Sequence, residues 1–100
     1  MNKLFNMLGL CARANRLVSG EQAVEISLKK GSAKLVVADG DAAENTKKAI
    51  KSACLNKNVP MITVSGQSLG DAIGKPGRML AAVTDESFAA RIYQLFKENG

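Results

Sequence analysis

The chain has 100 residues, close to the commonest size of one domain, and 46% of them are hydrophobic, enough for one core; the expectation is a single domain over residues 1–100 with no linker. Fourteen Lys and Arg against nine Asp and Glu leave a net charge of +5, which favours a polyanion such as RNA over an acidic protein as partner. Histidine is absent, which excludes an imidazole base or ligand and with it most hydrolase and zinc chemistry; Cys11 and Cys54 lack a C-x-x-C spacing and read as small buried hydrophobes of a reducing cytosol.

Lys3 ahead of an apolar stretch gives residues 1–14 the outline of a signal peptide. Asn6 interrupts that stretch, however, and Leu4, Leu8 and Cys11 recur at helical spacing. The spacing predicts an amphipathic first helix over about Lys3 to Arg13, with Leu4, Met7, Leu8 and Cys11 inward and Arg13 and Arg16 near its exit. No apolar run reaches transmembrane length, so a soluble, cytoplasmic protein without a membrane partner is expected.

Leu17 and Val18 form a short strand. Ser19 with Gln22 fits the capping box S/T-x-x-E/Q, which starts a helix by satisfying its free amides reciprocally. Over Ser19 to Gly31 the helical period puts Val24 and Leu28 on one side and Gln22, Ile26 and Lys29 on the other, with Lys30 at its edge. Gly31 ends the helix as a left-handed cap. Leu35 to Ala38 is a continuous apolar run, expected of a strand covered on both faces.

Asp41 and Glu44 mark a second box-like start, followed by a stripe of Ala42, Thr46, Ala49, Ile50, Ala53 and Cys54; Lys47, Lys48 and Lys51 fall mostly on the other, solubilising side. Met61 to Val64 is the next strand, Ser68 to Ile73 a short helix ended by Gly74, and Lys75-Pro76-Gly77-Arg78 a charged turn. Met79 to Thr84 is a fourth strand, and Thr84 or Asp85 caps a last helix lined by Phe88, Ile92, Leu95 and Phe96. Phe5, Phe88, Tyr93 and Phe96 read as core or near-core residues and not as a stacking platform for bases.

Alternation of strand and helix predicts an α/β fold: a three-layer α/β/α sandwich around a small mixed sheet of about four strands. Asp39 and Asp41 are weak grounds for a metal or catalytic site, and no acid-base or nucleophile-base pair accompanies them; no enzyme, metal or cofactor is expected.

Several segments together resemble the kink-turn-binding ribosomal-protein family of the L-seven-Ae and L-thirty-e type, and most of all its small bacterial YlxQ-like branch. They are Gly20 at the helix start, G-S-A-K-L-V-V-A-D-G-D from Gly31 to Asp41, Cys54 ahead of Val59-Pro60, and L-G-D-A-I-G from Leu69 to Gly74, in a likeness covering roughly residues 13–96. The resemblance implies a compact α/β/α protein that binds structured RNA and catalyses nothing. It also implies two contacts: a glycine-led helix start of pattern Gly-x-Asn-Glu-x-x-Lys, which reads sheared G·A pairs, and the loop before the last strand.

Carried over by position, Gly20 matches, Gln22 stands at the asparagine, Ala23 at the acidic residue and Ile26 at the lysine. Gln22 keeps an amide able to read a base edge, whereas Ala23 cannot accept a hydrogen bond and Ile26 cannot neutralise phosphate. Lys75 and Arg78 occupy the second contact. The expected RNA-facing set is Arg13, Arg16, Gly20, Glu21, Gln22, Ile26, Lys29, Lys30, Lys75 and Arg78. For Lys29 and Lys30 an ordinary solvated face stays open; Glu21 also offsets the helix dipole; Ile26 is either an apolar contact or covered by a neighbouring loop. The expected partner is structured RNA, ribosomal or other non-coding, bound by a monomer in the translation sphere. The alternative is a protein-interaction module of the translation machinery that has lost base-specific kink-turn readout.

Overall fold

The computed structural model describes residues 2–99, so Met1 and Gly100 lie outside it. Helix α1 (Lys3–Arg13) is capped by the Asn2 carboxamide, which accepts from the Leu4 amide at 2.8 Å. Strand β1 (Leu17–Ser19) leads into α2 (Glu21–Lys30), closed by Gly31, and then comes β2 (Leu35–Asp39). Helix α3 (Glu44–Asn56), β3 (Met61–Val64), α4 (Leu69–Ala72), β4 (Leu80–Val83) and α5 (Glu86–Asn99) follow. Asp85 caps α5 by accepting the Phe88 amide at 2.9 Å.

The sheet order is β1-β4-β2-β3, with β2 and β3 parallel and the other two pairings antiparallel, so it is mixed as expected. The central strands β2 and β4 are buried at every residue, because helices cover both faces. Side chains alternate across β2. Leu35 and Val37 join Leu4, Leu8, Cys11, Leu69 and Ile92 under α1, α4 and α5, while Val36 and Ala38 join Val24, Leu28, Ile50 and Cys54 under α2 and α3. Each of the two cysteines is a free, buried thiol, one in each core layer. Removal from water pushes both thiols up to about 11, and the Asp85 carboxylate adds to the effect at Cys11.

Local signals misplaced two helix starts. Ser19 does not cap α2: it is the last residue of β1, paired with Ala81, and Gly20 takes the cap position without any side-chain cap bond. Its strand pairing fixes Ser19 in extended backbone one residue too early for the box. Asp41 likewise does not cap α3, which begins after Ala43 with Glu44 already helical. The carboxylate that works there is Asp39, buried at the end of β2; its two oxygens accept the Asp41 amide at 2.8 Å and the Leu69 amide at 3.0 Å. Asp39 thus ties α4 to the sheet.

Two further departures are smaller. Lys47 is drawn in from the solubilising face, donating to the Gly40 carbonyl at 2.9 Å and pairing with Glu44 at 3.1 Å. Ala49 is exposed within the α3 stripe, and Tyr93 is 39% exposed beneath the Lys97 ammonium, so only the three phenylalanines lie in or against the core.

Candidate nucleic-acid interface

Antiparallel pairing of β1 with β4 sets Ser19 opposite Ala81, and the Gly20 amide donates to the Leu80 carbonyl at 2.9 Å. The end of β1 and the start of β4 therefore meet at one edge of the sheet. Whatever leaves β1, the start of α2, must lie beside whatever enters β4, the charged turn of residues 74–79. Two segments more than fifty residues apart form one rim.

Arg78 joins them. Its Nη1 donates to the Ser19 carbonyl at 2.8 Å and reaches the Ser19 hydroxyl at 3.4 Å. The contact needs Gly20, because a Cβ there would stand 2.8 Å from the same Nη1, and the backbone at φ 99°, ψ 150° belongs to a region that is essentially glycine's alone. On the other side of the turn, α4 packs against it through Gly70, where a Cβ would meet the Lys75 carbonyl at 2.6 Å and the Arg78 amide at 2.9 Å. The Lys75 amide donates to the Gly70 carbonyl at 2.8 Å, closing the turn on the short helix.

Between α1, β1, α2 and this turn lies an open groove of about 380 Å³, lined by Arg13, Lys75 and Arg78, by Asn15 and Ser19, and by the apolar Ala12, Leu17, Val18, Ala23 and Ile73; among the described residues no carboxylate lines it. Among the described residues the ion pair found is Lys47 with Glu44, away from the rim, so the three rim cations are not neutralised by carboxylates.

The expected site residues divide. Arg13, Gly20, Lys75 and Arg78 come together around the rim. Glu21 and Gln22 are exposed in the first turn of α2, where uncapped amides and the positive dipole end face outward; with no box formed, Gln22 is not committed to Ser19. Ile26 is 51% exposed, so no neighbouring loop covers it. Lys29, about two turns along α2 from Gln22 and on the same side of it, also lines a second hollow with Glu25, Ala53 and Lys57, and Lys30 is exposed at the helix end.

Arg16 stands apart. Its carbonyl accepts from the Thr84 amide at 2.9 Å, which places it at the opposite end of β1, four residues and so roughly 13 Å of extended chain from Gly20. Arg78 touches the Ser19–Gly20 junction, whereas Arg16 does not itself line the groove that its neighbours Asn15 and Leu17 border. Val18 and Ile73 were not expected at the site, and Ser19 was expected there only as a cap. Val18 and Ser19 come with β1, and Ile73 comes with the end of α4.

A mixed four-stranded sheet covered by helices on both faces is a fold that known proteins share. The chain belongs to the Ribosomal protein L7Ae/L30e/S12e/Gadd45 family, matching it over residues 2–93, so the likeness takes in α1 as well. It is similar to two bacterial proteins named RNA-binding protein YlxQ. That of Bacillus subtilis (strain 168) is 40% identical over 92 residues, covering 91% of this chain and 92% of its relative. That of Enterococcus faecium is 32% identical over 96 residues, covering 95% and 92%. Among solved structures, a protein of unknown function from Bacillus halodurans aligns with a TM-score of 0.92 at 33% identity, covering 97% of this chain and 99% of that one. A Giardia lamblia 15.5kD RNA binding protein aligns at 0.75 and 20% identity, over 95% and 82%, a likeness of fold.

Proposed function

We propose that this chain is a non-catalytic RNA-binding protein that grips structured RNA where the start of α2 meets the turn before β4. The observation that carries the reading is the contact of Arg78 with the Ser19–Gly20 junction, which makes one cationic rim of two distant segments. The names of the bacterial relatives support it. Arg13, Lys75 and Arg78 neutralise phosphates, Gln22 reads a base edge beside the free amides of α2, and Glu21, Ile26 and Lys30 border the contact. Lys29 and Arg16 lie at its margins and act through longer-range attraction. The RNA is ribosomal or another non-coding RNA of the translation sphere, with a kink-turn-like bend, met in the cytoplasm by a monomeric single domain.

Fluorescence anisotropy with a panel of labelled RNA hairpins at low salt, some containing a kink-turn, tests the reading. Replacing Arg13, Lys75 and Arg78 together by Ala is expected to weaken binding by more than about tenfold, since each lost phosphate contact removes a counterion-release gain. Failure of every hairpin to bind, or an unchanged affinity in the triple variant, overturns it.

One observation favours a second reading, a protein-interaction module. Ile26 presents a large apolar side chain to solvent on the face where the family pattern has lysine. Ile26→Lys separates the two. On the RNA reading the added cation preserves or strengthens hairpin binding, and on the protein reading it removes an apolar anchor and breaks the complex.

A further inference from the structure

The end of the sheet opposite the rim carries a second gathering of cations. There the Arg16 carbonyl accepts the Thr84 amide at 2.9 Å, and the Lys34 amide donates to the Val83 carbonyl at 2.7 Å. Arg16, ahead of β1, and Lys34, ahead of β2, therefore flank the end of β4. One strand further the Val36 amide donates to the Pro60 carbonyl at 3.0 Å, which brings in the loop after α3 and with it Lys57. Helix α2 ends here too: Lys30 is its last residue, and Lys29 and Lys57 line one hollow. Cations from four segments thus stand across the strand starts, over about three strand spacings or roughly 14 Å from β1 to β3. They lie roughly 15 Å from Gly20, the length of the ten residues of α2.

Arg16, Lys29, Lys30 and Lys57 are exposed, and Lys34 is half-buried. The carboxylates at this end are Glu25 in the hollow, Glu86 in the first turn of α5, and Asp85, which accepts the Phe88 amide. Among the described residues none of them forms an ion pair with these cations. Offsetting a helix dipole accounts for Lys29 and Lys30 in the last turn of α2. That effect falls off within a turn and does not extend to Lys34, which stands beyond the Gly31 cap. Lysine is depleted at protein interfaces, whose anchors are aromatic residues and arginine; the exposed apolar residues nearest in sequence, Ile26 and Leu55, are aliphatic and on different helices. A lipid surface is met by the apolar face of an amphipathic helix, and these cations come from strand starts and helix ends instead. Lysine point charges spread over a surface suit a phosphate backbone.

We propose that this end of the molecule holds the sugar–phosphate backbone of a second helical segment of RNA, with Arg16, Lys30, Lys34 and Lys57 on its phosphates, while the rim holds the first. The proposal rests on the RNA-binding reading and makes the protein a bridge between two segments. Arg16, Lys29 and Lys30, marginal to the first segment, gain phosphates of their own. Contacts of this kind read the shape of a helix and not its sequence.

The test saturates the full chain with an unlabelled hairpin that binds the rim and then titrates a short, straight, labelled RNA duplex at low salt, read by fluorescence anisotropy. The duplex is expected to bind the saturated protein. Replacing Arg16, Lys34 and Lys57 together by Ala should weaken that step about tenfold or more and change hairpin affinity far less. Lys30→Glu with Lys57→Glu, both at exposed positions, gives the same result should the triple variant lower the urea midpoint. Displacement of the duplex by the hairpin, duplex binding unchanged in both variants, or equally tight binding of a poly-glutamate peptide or of anionic lipid vesicles overturns the proposal. The two readings fail separately. If hairpins bind and the duplex does not, the second contact falls and the rim stands; if no hairpin binds but the duplex does and is lost in the variants, the rim reading falls and this end keeps its RNA.

Discussion

Gly20 carries two constraints at once, a backbone conformation that side chains rarely adopt and the closeness of the Arg78 guanidinium. Gly20→Ala is therefore expected to destabilise the fold by about 1–3 kcal/mol, the usual cost of holding a non-glycine residue in that region, and to displace Arg78. Urea unfolding reads the first effect and hairpin titration the second. Arg16→Ala serves as the comparison: at the far end of β1 it should lower RNA affinity less than Arg78→Ala does, although the two residues contribute the same charge. Equal losses would mean that net charge, and not the rim, governs binding. Gly20 was legible in the sequence because a glycine ahead of a helical pattern has few other reasons to be there. The partner that needs it was not, because Arg78 lies 58 residues further along the chain.

Among the elements, the short helix α4 does more than its four residues suggest, since it supports the turn that carries Lys75 and Arg78. Gly70→Ala would drive a methyl group into backbone at 2.6 Å, where no flexible side chain can give way. Overpacking of this kind costs typically about 1–3 kcal/mol, and here it also moves the turn. Both a lower urea midpoint and a weaker hairpin affinity are expected; loss of stability with unaltered binding would show that the turn is positioned by something other than α4. Helix periodicity gave α1, α2 and α5 their buried faces correctly because amphipathic packing repeats over several turns. Caps depend on single residues, and both box-like starts were overruled by neighbouring structure: Ser19 by its pairing with Ala81, Asp41 by the reach of Asp39.

Charge and burial act on the whole molecule. With a net charge of +5 and no histidine, RNA affinity should fall steeply with salt and stay level between about pH 6 and 7, where none of its side-chain types ordinarily titrates. Removing the three rim cations should lower the slope of log affinity against log salt by about 2–3, close to one per phosphate contact. Stability has a different pH limit. Cys11 and Cys54 are held protonated to about 11 when buried, against 9.0 as the ordinary thiol value. Between those values the unfolded chain binds fewer protons than the folded one. Their contribution is therefore complete below about pH 9 and is lost as pH rises through about 11. The urea midpoint should fall over that window, and less so in a Cys11→Ala, Cys54→Ala variant.

The sequence by itself determined the elements, the three layers and the sign of the surface, because hydrophobic period, strand runs and charge count are properties of short stretches and of totals. It also held the family likeness, in motifs whose order survives without any contact being known. Only the tertiary structure decided which basic residues share a surface. The pairing of β1 with β4 brings Gly20 and Arg78 within hydrogen-bonding reach of one junction and leaves Arg16 at the other end of the same strand. Strand register is a long-range agreement between segments, and no local pattern of residues encodes it.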